Sequence, residues 1–557
     1  MDRPAVEAVT VRGARELAAV VALGILLTIV LTYPLAFRMG SVGRVQTGDG
    51  QFSIWNVAWV ARTLVADPGH LFDANIFYPH TGTLAYSEAN LGAGFLGVPG
   101  YWLTRNAYVA HNSAVLIAFV LCFAGAYYLA RYLTRDRRAA VVSAVCYTFC
   151  PYVFARTAHV QLMMTLGLPY TMLAFHRLAD RPTMGRGAAL GAAMAATTYF
   201  CAYYGVFALL TIGFAVLTTA ALRRLWRDAA YWTAVGVAAV TAVFLILPLF
   251  EPYAALQGRG FGRSIEEAAG YAADWRTYLT SSARLHTWIY QLRWIGKGVE
   301  VAFPGFVAVA FAVVGIAAAR SMERPSRNWI VMYAALAGLA LWVSLGPDAG
   351  LYAILYRTVP GFTLMRAPGR FGLIVTFALS VLAAFGVRAL LATTRRAAAA
   401  AAVLTVLTVA ELSEPLPFVD VPRLPSSYAT LASLPAGPVI EMPFFSRETG
   451  GLFKHTEWML YSTRHWKPLL NGYSDYIPPD YADHQEILTL FPTIESMKLV
   501  APTRVRYAVF HRHRFTGATW TAAMERLRDL APYFRLIQVD NANEREETRL
   551  YEILGFP

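Results

Sequence analysis

From Leu17 to Phe37 the chain carries no charged side chain. As a helix rising about 1.5 Å per residue, a run of that length covers the roughly 30 Å hydrocarbon core of a bilayer. The pattern returns at about 111–133, 139–155, 162–177, 187–203, 204–222, 229–250, 301–319, 329–345, 371–394 and 397–412. In hydrocarbon every backbone N–H and C=O must be satisfied within its own segment, so runs of this kind fold as helices. The composition agrees, with 57% of the 557 residues hydrophobic and only 15% charged. The expected fold class is therefore a polytopic α-helical membrane protein.

A net charge of +13 would suit a nucleic-acid binder, but the arginines are placed otherwise. They cluster at Arg131/Arg135/Arg137/Arg138, Arg177/Arg181/Arg186, Arg223/Arg224/Arg227, Arg320/Arg324/Arg327 and Arg395/Arg396, each between two apolar runs. Positively charged short loops stay on the cytoplasmic side, so all five clusters and the N-terminus are expected inside, with no nucleic-acid partner. Residues 89–104, ANLGAGFLGVPGYWLT, are apolar but short and broken by Gly and Pro. If they crossed, the Arg131–Arg138 cluster would move outside, so they are read as a re-entrant or interfacial element. The expectation is about eleven spans in the cytoplasmic (inner) membrane and an outside C-terminus. The alanine run 397–412 is the weakest span; without it the C-terminal piece would be cytoplasmic. The N-terminus, MDRPAVEAVTVRGARE, reads as leading into a retained first helix rather than a cleaved signal. Cys122, Cys146, Cys150 and Cys201 all lie in apolar segments, which describes buried thiols and not a disulfide framework.

Two domains follow: a helical part, 1–412, with long outer loops at 38–110 and 251–300, and a soluble extracytoplasmic part, 413–557. After the proline-rich ELSEPLPFVDVPRLP, the segments AGPVIEMPF, RVRYAVFHRH, YFRLIQVD and TRLYEIL read as strands, and TWTAAMERLRDLAP as an amphipathic helix. This is a small α+β domain with no phosphate loop, nucleophile elbow or zinc spacing. No internal repeat marks the helical part as an inverted-repeat transporter.

The stretch VGRVQTGDGQFSIWNVAW, residues 42–59, holds one acid, Asp49, between Gly48 and Gly50. Two readings are open. Asp49 caps the following helix, whose Phe52, Trp55 and Trp59 recur at helical spacing and would lie in the headgroups; or it is a carboxylate at the water–lipid boundary, available as a general base. The glycines would let the chain turn sharply out of the first span. The segment ADPGHLFDANIFYPHTGTLAYSE adds Asp67, His70, Asp73, His80 and Glu88 in a turn-rich, folded loop.

One helix, a long outer loop with an acid near its start, many spans, then a soluble outer domain: this layout resembles the GT-C glycosyltransferase superfamily. The phrase GDGQFSIWNVAW…NIFYPHTGTLAYSE is also similar to bacterial GT-C-like multispanning proteins. The resemblance implies a catalytic acid in the first outer loop, here Asp49, and a polyprenyl-phosphate sugar donor. The acceptor would be a cell-envelope glycan, lipid or protein, modified at the outer face of the membrane. Many members have paired acids where this chain has Asp49 alone. No cofactor is firmly implied, and a divalent cation lacks a paired-acid motif to hold it. Asp49 would instead deprotonate an acceptor hydroxyl while cations take the charge of the leaving phosphate.

Candidate cations follow. LMRAPGRFG, 364–372, offers Arg366 and Arg370, spaced to grip phosphate and expected to face the same outer cavity as Asp49. Alternatively they reach to headgroups at a helix end. FARTAHVQLMM adds Arg156 and His159, the latter open to an interfacial reading. The loop FGRSIEEAAGYAADWRTYL brings Arg263, Glu266, Glu267 and Asp274; it is similar to outer loops that cover the donor, though acids on a solvated helix face explain it too. The substrate-binding candidates are Arg366, Arg370, His159, Arg263, Glu266 and His80. Two other functions stay open. A transporter or flippase of lipid-linked sugars would need ionisable residues at mid-span, which are few here. A non-catalytic scaffold of the same fold would leave Asp49 as a cap.

Overall fold

A computed structural model of the protein describes residues 3–258, 263–292, 296–359, 362–448, 451–541 and 546–557. The chain divides into two compact units. The first comprises Met1–Arg38, Ala114–Glu251 and Gln257–Pro417; the second comprises Met39–Ser113, Pro252–Leu256 and Phe418–Pro557. The first outer loop therefore belongs to the same unit as the C-terminal segment.

Among the described residues, five helices are long and apolar enough to cross a membrane: Gly13–Leu31, Ala107–Thr134, Ala202–Arg223, Ala229–Leu256 and Pro368–Thr393. Phe306–Ser321 and Ala397–Leu412 are apolar but shorter. Of the other runs expected as spans, 329–345 lies in the 21-residue helix Arg324–Ser344, which is not among the five, and 187–203 in the 17-residue helix Met184–Phe200. The run 139–155 stops as a helix at Thr148 and restarts at Pro151, and the run at 162–177 becomes helical over Gly167–Asp180. Proline disfavours helical backbone in the residue before it, which explains the break at Cys150.

The helix Ala229–Gln257 exposes Val240, Val243, Phe244 and Leu247. A face of that kind suits hydrocarbon as its solvent. Its other side meets Gly187 and Gly191, a G-x-x-x-G pair on the helix Met184–Phe200. A Cβ at either glycine would strike the carbonyl oxygens of Ala234 and Ala238, so only glycine permits this approach. Gly315 and Gly386 bring the helices Phe306–Ala317 and Gly372–Thr393 together in the same way, each against the other helix's backbone. Buried Glu411 ends the helix Ala397–Leu412 and accepts the first amides of Phe306–Ala317, from Phe306 and from Val307 at 3.1 Å. His286 Nε2 lies 3.1 Å from Glu411, and Ser281 Oγ lies 2.6 Å from His286 Nδ1. This serine–histidine–glutamate series is sealed under Phe303 and Phe306 and holds a helix start, so it is structural.

In the second unit the helix Gly48–Ala66 lies inside the core rather than on a surface. Trp55 and Trp59 are buried, with their indole N–H groups donating to Asn75 Oδ1 at 3.0 Å and the Leu71 carbonyl at 2.9 Å. Phe52 packs on Tyr473, and Trp59 on Trp466. The aromatic stripe is thus a packing face, correcting the expectation that it sits among headgroups. Residues 75–78 exchange backbone hydrogen bonds with 469–471: Leu469 to Asn75, Phe77 to Asn471 and Tyr78 to Leu469.

The four segments read as strands form one sheet: Val439–Met442, Tyr507–His511, Phe534–Asp540 and Thr548–Ile553, in spatial order first, second, fourth, third. The first pair is parallel with Val439 opposite Tyr507; the others are antiparallel. Alternate residues of the parallel pair Val439–Met442 and Tyr507–His511 serve two cores. Ile440, Met442, Ala508 and Phe510 join Trp55, Phe77 and Tyr86, while Val439, Tyr507 and Val509 join Leu431 and Leu550. The apolar segment near 89–104 forms the helix Leu91–Thr104, too short to cross a bilayer. Its Gly94, Gly97 and Gly100 form one stripe against Val60, Val57 and Ser113.

The glycines around Asp49 have a packing reason rather than a turning one. Neither adopts a left-handed backbone. A Cβ at Gly50 would collide with the carbonyl oxygen of Arg44, and one at Gly48 would press on Phe453 and Thr456 at 3.3 Å. Gln51 fastens the same corner, donating to the Val45 carbonyl at 2.7 Å and accepting from Thr456 Oγ1 at 2.8 Å. We expect Gly50→Ala to destabilise the second unit by about 1–3 kcal/mol, as overpacking does. Gly69→Ala, where nothing lies within 4 Å, is the matched control. Thermal unfolding of the two purified variants measures the difference; equal midpoints would remove the packing argument.

Candidate functional site

The site in the first unit forms where three stretches of backbone end together. The first is the break after Pro151–Phe154, which carries Tyr152 and Arg156. The second comprises residues 263–292 and 296–303. The third is the turn Pro368–Phe371, which leads into the helix Gly372–Thr393. Glu300 in the loop is almost fully buried and ion-pairs with both Arg156 and, at 3.8 Å, Arg370. Both arginines are themselves largely buried, with side chains 15% exposed. Two guanidinium groups against one carboxylate leave a net positive charge. Arg156 Nε and Arg370 Nε are buried without a hydrogen-bond partner among the described residues.

Tyrosines frame this cluster. The Arg156 guanidinium lies 5.0 Å from the Tyr152 ring centre and that of Arg370 lies 4.8 Å from the Tyr203 ring. Tyr203 also fixes the third stretch, because its hydroxyl oxygen accepts the backbone N–H groups of Arg366 at 2.8 Å and Ala367 at 2.9 Å. Gly369 is required here: its N–H donates to the Tyr271 carbonyl at 3.1 Å, and a Cβ would sit 2.9 Å from Glu300 Cγ. Nearby, Glu267 receives Arg263 at 3.3 Å and Arg366 at 3.7 Å, and Arg366 lies 5.8 Å from the Tyr271 ring. Ser282 donates to the Pro151 carbonyl at 3.1 Å. Burial pushes the Glu414 carboxyl up to about 7. Desolvated guanidinium groups with aromatic faces and a shortage of negative charge suit a phosphate or carboxylate ligand.

Asp49 belongs to the second unit. The cap of its helix is Thr47, whose hydroxyl oxygen accepts the Gly50 N–H at 3.2 Å. The capping role proposed for Asp49 is therefore filled by its neighbour, because the helix begins one residue before Asp49. Asp49 instead stands exposed in the first turn, where the helix dipole favours a negative charge.

The remaining candidates separate. Arg263, Arg366 and Arg370 gather in the first unit. Glu266 is exposed, and its neighbour Glu267 makes the ion pairs. His159 is half-buried ahead of the helix Val160–Met163, its backbone N–H donating to the Arg156 carbonyl at 2.8 Å. His80 is in the second unit, paired at the surface with Asp480 at 3.1 Å. Glu300 and Tyr203 escaped the sequence reading. Glu300 could have been found as a lone acid at the start of an apolar run, on the side assigned to the candidate arginines; nothing singles out Tyr203 among 30 tyrosines. Among the described residues, no group of three or more His, Cys, Asp or Glu side chains is placed to hold a metal ion.

No protein-family model matches the chain, and no curated protein matches it. Among solved structures it is similar to ArnT from Cupriavidus metallidurans bound to undecaprenyl phosphate. The two share 14% identity over 97% of this chain and 99% of that one, with a TM-score of 0.49. The apo-state structure of the same protein gives a TM-score of 0.41 at 14% identity over 98% and 100% of the two chains.

Removing one member of a buried ion pair leaves an uncompensated charge, which typically costs about 3–5 kcal/mol. Glu300→Gln should therefore lower the thermal unfolding midpoint of the detergent-purified protein markedly, and Glu266→Gln, at an exposed position, should not. Equal midpoints would show that Glu300 does not hold the arginines.

Proposed function

We propose that the protein is a membrane-embedded glycosyltransferase of GT-C type, using a polyprenyl-phosphate sugar as donor and a cell-envelope glycan, lipid or protein as acceptor. The observation that supports it best is the buried, net-positive Arg156–Glu300–Arg370 cluster between tyrosine faces. Sugar transfer from a lipid phosphate needs the leaving phosphate's charge to be met in a dry site. Two guanidinium groups that share one glutamate have capacity left for such an anion.

In this reading Asp49 takes the proton from the acceptor hydroxyl. The freed oxygen attacks the anomeric carbon, the bond from that carbon to the phosphate oxygen breaks, and the configuration inverts. The phosphate leaves with the electron pair, and its charge must be met by cations. Arg366, held by Glu267 and by Tyr203, supports the turn that carries Arg370. We place the chain in the cytoplasmic membrane with about eleven crossings, its arginine clusters inside and its C-terminal segment outside, an assignment supported by the placement of arginine between apolar runs.

Two measurements test this. Asp49→Asn keeps the shape of the first turn and removes the base. Transfer from a polyprenyl-phosphate sugar should fall about 10²- to 10⁴-fold with normal expression; wild-type turnover would deprive the reaction of its proton acceptor. For the orientation, cysteines are introduced at exposed Ser433 and Ser321 in a chain whose native cysteines are all buried. An impermeant thiol reagent on intact cells should label position 433 and spare 321, and the reverse would invert the topology.

A further inference from the structure

The first unit has a second cationic feature that the proposed transfer does not use. Arg135, Arg223, Arg224, Arg324 and Arg388 line one cavity of ≈ 840 Å³. They come from different sequence regions, which the helices bring to one end of the unit. Two carboxylates, Asp180 and Glu323, also line it. Asp180 is already engaged: Arg223 reaches it with two nitrogens at 3.2 Å, and Tyr132 donates to it at 2.7 Å. Arg223 in addition lies 4.4 Å from the Trp329 ring. Arg388 is half-buried on the helix Gly372–Thr393, and neither it nor Arg324 makes an ion pair among the described residues. The helix Arg324–Ser344, 21 residues long, starts at this cavity with Arg324, Pro325, Ser326 and Asn328 on its wall. The first amides of a helix have no partner within it and present a positive dipole end.

We propose that this cavity holds the phosphate headgroup of an anionic phospholipid. Three observations on the page converge on that ligand. The charge is strongly positive, with one carboxylate consumed. A long helix aims its N-terminus at the same space, the usual setting for a phosphate. The surroundings are interfacial: Leu222 lines the cavity and is exposed, and Trp226, further along the same helix end, is exposed and stacks on Trp232. The volume is far more than a bare phosphate ion fills and suits a glycerophosphate group with its acyl chains lying along the exposed apolar helices. Basic pockets between helices at the arginine-rich end of a membrane protein recognise lipid phosphates by these means.

The test uses the full-length protein in a neutral detergent. Phosphatidylglycerol, phosphatidylcholine and inorganic phosphate are titrated in turn, with bound lipid read by native mass spectrometry. Phosphatidylglycerol should bind selectively, and Arg324→Gln with Arg388→Gln should weaken it about 10²- to 10⁴-fold, the scale of two lost charge-assisted hydrogen bonds. Arg320→Gln with Arg395→Gln makes the same charge change outside the cavity lining and should leave binding within about twofold. Arg388→Gln alone is measured as well, so that a poorly folding double variant does not decide the matter. Equal weakening in both double variants, equal binding of phosphatidylcholine, or occupancy by inorganic phosphate with no gain from lipid would overturn the proposal.

Discussion

Glu300 joins pieces of the first unit that are far apart in sequence. A carboxylate buried this deeply is tolerated only if it is paired, and its two partners come from the break after Phe154 and from the turn before the helix Gly372–Thr393. The loop that carries it is then drawn down: Ala302 and Phe303 donate backbone hydrogen bonds to Thr277 and Thr280, and the helix after it starts on Glu411. One ion triple thus fixes a loop, a helix break and a helix start, because its energetic cost is acceptable in only one arrangement.

Close backbone approach is the second constraint, and it works differently in the two units. In the first, Gly187, Gly191, Gly315 and Gly386 let helices touch where hydrophobic burial between them supplies little drive. In the second, Gly94, Gly97 and Gly100 seat a short helix on Gly48–Ala66 with a water-excluding aromatic core around it. The same residue type serves van der Waals contact in one unit and compaction of an ordinary core in the other.

Much of this was legible in the sequence. Apolar length gave the helical class, since it reports directly on the solvent around the chain. Short runs rich in apolar and aromatic residues located all four strands, from Val439–Met442 to Thr548–Ile553. The aromatic stripe of Phe52, Trp55 and Trp59 misled, because helical spacing says that one face is apolar and nothing about what covers it. Its cover, Asn75, Tyr473 and Trp466, comes partly from more than 400 residues downstream. The same limit hid Glu300. A lone glutamate is unremarkable until folding sets two arginines beside it, and pairing across 144 or 70 positions leaves no local trace. Thr47 was passed over as the cap because Asp49, two positions on, is an equally good capping residue by type.

The two cationic features of the first unit differ in a way that bears on what each can do. At the arginine-rich cavity the charges are mostly solvated, so an anion there exchanges one set of screened partners for another, and salt weakens the attraction. At Arg156 and Arg370 the charges are desolvated and one glutamate already offsets part of them. Without Glu300 the pair would repel itself in a low-dielectric site. With a second carboxylate it would have nothing left for a ligand. A single glutamate leaves attraction for one further anion. In the transfer proposed above, that balance would favour interactions that strengthen in the transition state over those that merely bind.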